Sequence, residues 1–215
     1  MASGTGNDDV AAGVLARYGR TFAEEAGIPL TDEPAPLFQL LVLAQLLSAR
    51  IGAGVAVGTA GELFAAGWTT PARLGDAGRG SVVAALGRGG YRRYDERTAT
   101  LLRGMATLVL DRYGGDLRGL AAAAGEDVRA AALLVQEVKG IGPTGAAVFL
   151  REVQAVWPWL RPYLDDRARE GARRVGLPHE ADELARLVAG NDLARFAAGL
   201  VRVSRLPAGQ HHVDD

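Results

Sequence analysis

The stretch that decides the fold is Leu133–Leu150, LLVQEVKGIGPTGAAVFL. Its apolar spacing predicts one helix running into Val138-Lys139-Gly140-Ile141-Gly142 and a second restarting at Pro143. Gly140 and Gly142 are free to take backbone angles closed to other residues, so the chain is expected to reverse tightly there and expose successive N–H groups. Ile141 between them is placed to plug back into the helix pair. Pro143 suits a first helical turn, where its missing N–H is not needed. Gly145 and Ala146 are small enough for close approach. The unpaired amides at the start of the second helix, reinforced by its dipole, are expected to make a phosphate site with Lys139 adding charge beside it; the plainer alternative is a structural αα-hairpin.

Working outward, the pattern is helical nearly throughout, and period-two alternation is nowhere sustained, so the chain reads as all-α with about ten helices. An amphipathic stripe covers 9–26, with Gly27 as its stop. Pro34 and Pro36 break the chain before 37–49, LFQLLVLAQLLSA, which is apolar all round as a central buried helix must be. Segments 53–66 and 79–87 are shorter and glycine-laden, and Thr70-Pro71 reads as a cap followed by a first-turn proline. Over 95–113, Asp95 is the expected cap, Leu101, Leu102, Met105, Leu108 and Val109 form the stripe, and Gly114-Gly115 ends it. Segments 126–138, 143–156, 165–175, 180–189 and 191–205 complete the set. The ends, 1–8 and 207–215, read as mobile polar tails, with His211 and His212 as tail residues rather than metal ligands.

The chain has 215 residues and no cysteine, which excludes disulfides, zinc-thiolate sites, Fe–S clusters and a cysteine nucleophile together. No apolar run reaches the ~18 residues of a bilayer span, and Met1–Val10 is too polar and acidic for a signal peptide, so a cytoplasmic location is expected. Net charge is −1, but its distribution is uneven: 1–35 carries −4, 79–112 carries +4 and 139–176 carries +3. The two basic stretches are either solvated helix faces or parts of an anion-binding face. Walker, Rossmann, HExxH and nucleophile-elbow motifs are absent.

The 133–150 stretch matches the helix-hairpin-helix motif, which holds the DNA backbone without reading sequence. With it, the order of segments over roughly 36–176 resembles the endonuclease III-like helix-hairpin-helix (HhH-GPD) DNA glycosylases. Leu46-Leu47-Ser48-Ala49-Arg50 resembles the family's LLSAQ helix end, Gly90-Tyr91 the segment before its partner-strand wedge, and Tyr163-Leu164-Asp165 the apolar pair and aspartate that supply its catalytic carboxylate. The resemblance implies a two-lobed fold that binds damaged or mismatched double-stranded DNA between its lobes. One lobe would be 9–35 with 153–206, and the other 36–152. It implies a monomer working on the nucleoid.

For residues, the resemblance makes Asp165 the catalytic group, against its plainer reading, with Asp166, as cap and first-turn acid of a helix. Phosphate contacts fall to Lys139, Gly140, Ile141, Gly142 and Thr144, and a monovalent cation to the carbonyls of Val138 and Ile141. No other cofactor is implied. Base-pocket or wedge candidates are Gln45, Arg50, Tyr91 and Arg167. Gln45 either bonds within the core or meets the edge of a flipped base. Tyr91 and Tyr94, among Arg88, Arg92 and Arg93, either pack or wedge into DNA. Trp157 and Trp159 around Pro158 read as a plug at the lobe junction. The chain departs from the family at Thr144, where lyase-competent members carry the Schiff-base lysine, at Arg50, where the family has glutamine, and in its missing Fe–S loop. The expected activity is monofunctional base excision; the alternative is a protein on the same scaffold that binds distorted DNA without chemistry.

Overall fold

The computed structural model describes residues 4–207. The described residues are helical and turn, without strands. In chain order the helices are α1 (Gly4–Tyr18), α2 (Phe22–Glu25), α3 (Pro34–Ser48), α4 (Ala53–Ala65), α5 (Pro71–Asp76), α6 (Arg79–Arg88), α7 (Asp95–Tyr113), α8 (Arg118–Ala124), α9 (Val128–Gln136), α10 (Pro143–Val153), α11 (Asp166–Arg174), α12 (Ala181–Ala185) and α13 (Leu193–Val203). Single 3-10 turns lie at Pro158–Leu160 and Gly190–Asp192.

The chain divides into two compact units, Ala23–Phe149, and Met1–Phe22 with Leu150–Asp215. Residues 23–35, read from the sequence with the outer helices, group with the inner ones. In the inner unit α3 is buried on every side from Pro36 to Leu46, as its unbroken apolar run requires. Its two prolines do not break the chain; they start the helix, where a missing amide costs nothing. Against α3 packs α4, α4 packs on α6, and α7 closes over α5 and α6. In the outer unit α1 and α11 pack on α13, around a core that includes Val14, Leu164, Ala172, Phe196 and Leu200.

Several local expectations change. The 9–26 helix begins earlier, at Gly4, and breaks at 19–21. The carbonyls of Tyr18, Gly19 and Arg20, at the point where α1 ends, accept from Arg202 and Arg195 of α13. Asp95 does not cap α7. Tyr94 is the N-cap, held in the left-handed region at φ 65°, and Asp95 accepts from the Glu96 amide instead at 2.8 Å. Helix α8 escaped the periodicity because RGLAAAA spans barely two turns; Asp116 starts it by accepting from Arg118 N at 2.9 Å. Thr70 caps α5 as expected, and Gly114 and Gly115 end α7 at positive φ. His211 and His212, like all of 1–3 and 208–215, lie outside the described residues.

Helix α11 crosses α13 closely at Gly171, where a side chain would overlap the Leu200 carbonyl. Gly171→Ala should therefore cost about 2–3 kcal/mol and lower the melting temperature by roughly 5–10 °C. Gly80→Ala, at an α6 position open to solvent, should be neutral or raise it slightly. Thermal unfolding followed by circular dichroism reads both.

Candidate functional site

The hairpin lies in the inner unit. After α9, Val138 N–H bonds back to Val135 O, and Ile141 N–H reaches Val138 O at 2.9 Å across the reversal. Val138 and Ile141 are buried, while Lys139, Gly140, Gly142 and Thr144 are exposed. The amides of Gly140, Gly142 and Thr144 make no hydrogen bond among the described residues, so three donors face outward at the start of α10. The Ile141 carbonyl is likewise unpaired among them, whereas that of Val138 is taken by the turn.

The two glycines are not equivalent. Gly140 has φ +98°, and a Cβ there would lie 2.9 Å from Gln45 Nε2 and 3.0 Å from Leu101 Cδ1. Gly142 has an ordinary φ and nothing within 4 Å, so the expectation that both take special angles holds for the first alone. Gly145 is also required: a Cβ would meet Ser48 Cβ at 3.0 Å and Ile141 Cγ2 at 2.9 Å. The close approach read from Gly145 is thus to the end of α3 and to the hairpin's own plug.

Gln45 sits beside this turn, buried on α3, with both amide atoms unpartnered. It makes none of the core hydrogen bonds that one reading gave it. Arg50 is exposed just past the end of α3. Tyr91 is buried, and its hydroxyl accepts from Thr98 Oγ1 at 2.9 Å, so in this structure it packs in the core. Tyr94 is the exposed aromatic, 65% accessible, with the Arg93 guanidinium 5.5 Å from its ring centre. Arg92, Arg93 and Arg97 around it have no carboxylate partner among the described residues, while Arg88 is paired with Glu62 at 2.7 Å.

Asp165 belongs to the outer unit and is the N-cap of α11. Its Oδ1 accepts from Ala168 N at 2.9 Å, and its Oδ2 accepts from Nη1 of Arg151. Arg151 is almost fully buried at 1% exposure, with its guanidinium 5.9 Å from the Phe22 ring centre and its Nε unpartnered. Gln154, one turn on, donates Nε2 to the carbonyls of Arg151 and Tyr163 and accepts from Tyr163 N at 3.0 Å. The end of α10 therefore fixes both the carboxylate and the peptide two residues before it. Burial, and then the Asp165 charge, push the Tyr163 hydroxyl up to about 12. Asp166 and Arg167 are exposed in the first turn of α11. Trp157 is buried and stacks on Trp159, with centroids 5.8 Å apart.

Arg151 was not singled out from the sequence. The signal was there: an Arg-Glu pair inside the apolar run AVFLREVQAVW, where a charge is expensive unless partnered. Among the described residues no group of three His, Cys, Asp or Glu side chains is placed to hold a metal ion.

No protein-family model matches the chain, and no curated protein sequence matches it significantly. Among solved structures, a thermostable thymine-DNA glycosylase superposes with a TM-score of 0.59 at 15% identity, over 98% of this chain and 92% of that one. This chain has the helix-hairpin-helix glycosylase fold. A trapped endonuclease III–DNA covalent intermediate is also found, with a TM-score of 0.49 at 14% identity over 84% of this chain and 79% of that one. Fold carries no chemistry by itself, and what this chain does rests on its own residues.

Two comparisons test the geometry. Gly140→Ala forces a Cβ into both strained backbone and Gln45, and should cost about 1–3 kcal/mol, while Gly142→Ala should shift stability by less than ~0.5 kcal/mol. Asp165→Asn strands the buried Arg151 charge and should cost about 3–5 kcal/mol, although asparagine caps as well as aspartate. In the double variant Arg151→Met/Asp165→Asn most of that loss should return. Urea unfolding of the wild type, Asp165→Asn, Arg151→Met and the double variant gives the coupling energy directly.

Proposed function

We propose that this chain is a DNA-binding protein of base-excision repair that acts as a monofunctional DNA N-glycosylase on a damaged or mismatched base in double-stranded DNA. The observation that carries the reading is the hairpin: three outward amides at the start of α10, beside exposed Lys139, on a glycosylase fold. Amides and a helix dipole bind phosphate whatever the sequence, which suits a protein that must travel along DNA before it meets a lesion.

In this reading the exposed Tyr94, with Arg92, Arg93 and Arg97, contacts the distorted duplex, and Gln45, whose buried amide has no partner among the described residues, is the candidate to meet the edge of an extruded base once the site opens. Asp165 acts as a fixed negative charge. With one oxygen on the Ala168 amide and the other on Arg151, it is held in one orientation, and its work is to stabilise positive charge developing on the deoxyribose as the glycosidic bond breaks. Thr144 offers a hydroxyl where imine chemistry needs an amine, so no Schiff base forms there. The same Arg151 contact supports the second reading, a binder without chemistry, because a guanidinium already answers the carboxylate's charge.

A panel of lesion and mismatch duplexes, treated with alkali after incubation, separates the two. Excision gives alkali-labile strand breaks on at least one duplex; tight binding to a lesion with no break on any points to the binder. On a true substrate, Asp165→Asn should lower single-turnover base release by about 10²–10³ at a temperature where it remains folded. Borohydride added during the reaction should trap no covalent complex. Duplex affinity should fall with salt at a log–log slope of about −3 to −5, as three to five phosphate contacts require.

A further inference from the structure

Phe22 is the first residue of α2, belongs to the outer unit and is buried. A buried phenylalanine ordinarily packs among aliphatic side chains, but this ring meets two cations. The guanidinium carbons of Arg151 and Arg202 lie over it, 5.9 and 4.6 Å from its centre. The negative face of an aromatic ring attracts a guanidinium most strongly where water is excluded, and Arg151 is almost fully buried.

The two arginines are held differently. Arg202 Nη1 donates to the carbonyls of Tyr18, at 3.2 Å, and Arg20, and to Ala198 O at 3.5 Å on its own helix. Those carbonyls fix it whatever the ring does. Arg151 makes one side-chain hydrogen bond among the described residues, from Nη1 to Asp165 Oδ2, and its buried Nε has no partner there. A single hydrogen bond does not fix the plane of a group with five donors, so the Phe22 ring supplies the second constraint. Asp165 is then held between the Ala168 amide and Arg151. The contacts run Arg202, Phe22, Arg151, Asp165, and join α13, the start of α2, α10 and the cap of α11 within one unit.

We propose that Phe22 is a positioning residue for Asp165: its ring, backed by Arg202, holds the Arg151 guanidinium in the orientation that keeps the carboxylate in place. The use of that carboxylate in base release rests on the glycosylase reading; the hold of Phe22 on Arg151 does not. An aliphatic side chain at position 22 keeps the apolar burial and removes the attraction between ring and cation. The guanidinium then turns more freely, and Asp165 loses one of its two fixed contacts. A charge that works by placement loses up to ~10²-fold in rate when displaced by about 1 Å, so a partial loosening should cost about tenfold.

The test uses the full chain as wild type, Phe22→Leu and Phe22→Tyr. In the first arm, the side-chain nitrogen resonances of Arg151 are followed by NMR. A held guanidinium turns slowly about its Cζ–Nε bond and gives separate Nη signals, whereas a loose one gives an average. Wild type and Phe22→Tyr should show separate signals, and Phe22→Leu an average. In the second arm, single-turnover base release is measured on a duplex that wild type excises. Phe22→Leu should be about tenfold slower with duplex affinity within about twofold of wild type, and Phe22→Tyr should recover to within about threefold. A ring that only filled the core would lower the urea midpoint of Phe22→Leu and leave both the rate and the Arg151 signals unmoved. Averaged Arg151 signals in wild type overturn the proposal, and so do separate signals in folded Phe22→Leu or an unchanged rate in that variant. Phe22→Met takes its place if Phe22→Leu does not fold. If wild type releases no base from any duplex, the glycosylase reading fails, and the first arm still decides whether Phe22 holds Arg151.

Discussion

The hairpin owes its geometry to how closely it approaches α3. Two positions leave no room for a side chain: Gly140, which faces Gln45, and Gly145, which faces Ser48. Between them Ile141 is buried, so the turn is pinned from below while its upper amides stay exposed. A Cβ at either glycine would lift the turn off the helix and re-aim the donors. The placement of the three unpaired amides is therefore a consequence of packing inside the inner unit, not of the exposed loop residues alone. Because α3 is buried on all sides, it gives the turn a base that cannot shift without exposing apolar surface.

In the outer unit the buried Arg151–Asp165 ion pair has the corresponding role. Arg151 cannot be solvated where it stands, so Asp165 must answer its charge, and the cap at Ala168 then fixes the second oxygen. The sequence alternatives for Asp165, catalytic group or helix cap, are not exclusive in this geometry. Capping orients the carboxylate, and the ion pair sets how much of its charge is available. Gln154 extends the control to Tyr163. An arginine whose spacing gave no motif thus governs the residue that did.

The fold was legible where the sequence is strongly patterned. The apolar run of α3, the long stripe of α7 and the GIG reversal each follow from residue spacing. Thr70-Pro71 and Gly114-Gly115 marked their helix ends, because a cap and a left-handed glycine are local chemistry. What was not legible depends on partners distant in sequence. The carbonyls at the break after Tyr18 are bonded by Arg195 and Arg202, more than 170 positions on. Tyr94 replaces Asp95 as the α7 cap by adopting a backbone conformation that propensity disfavours. At the site, the hairpin residues were read correctly as a turn, but Gly140 and Gly142 looked alike in sequence and differ in space. Tyr91 and Tyr94 carried the same two readings, and only burial separates them.

The central claim is that the amides at the start of α10 hold DNA phosphate. Backbone amide resonances followed through a titration with duplex DNA test it most directly. The account predicts large, saturable shifts at Gly140, Gly142 and Thr144, with little change at the similar glycine turn of Gly125 between α8 and α9. Saturable duplex binding that leaves the three hairpin amides unmoved would contradict it.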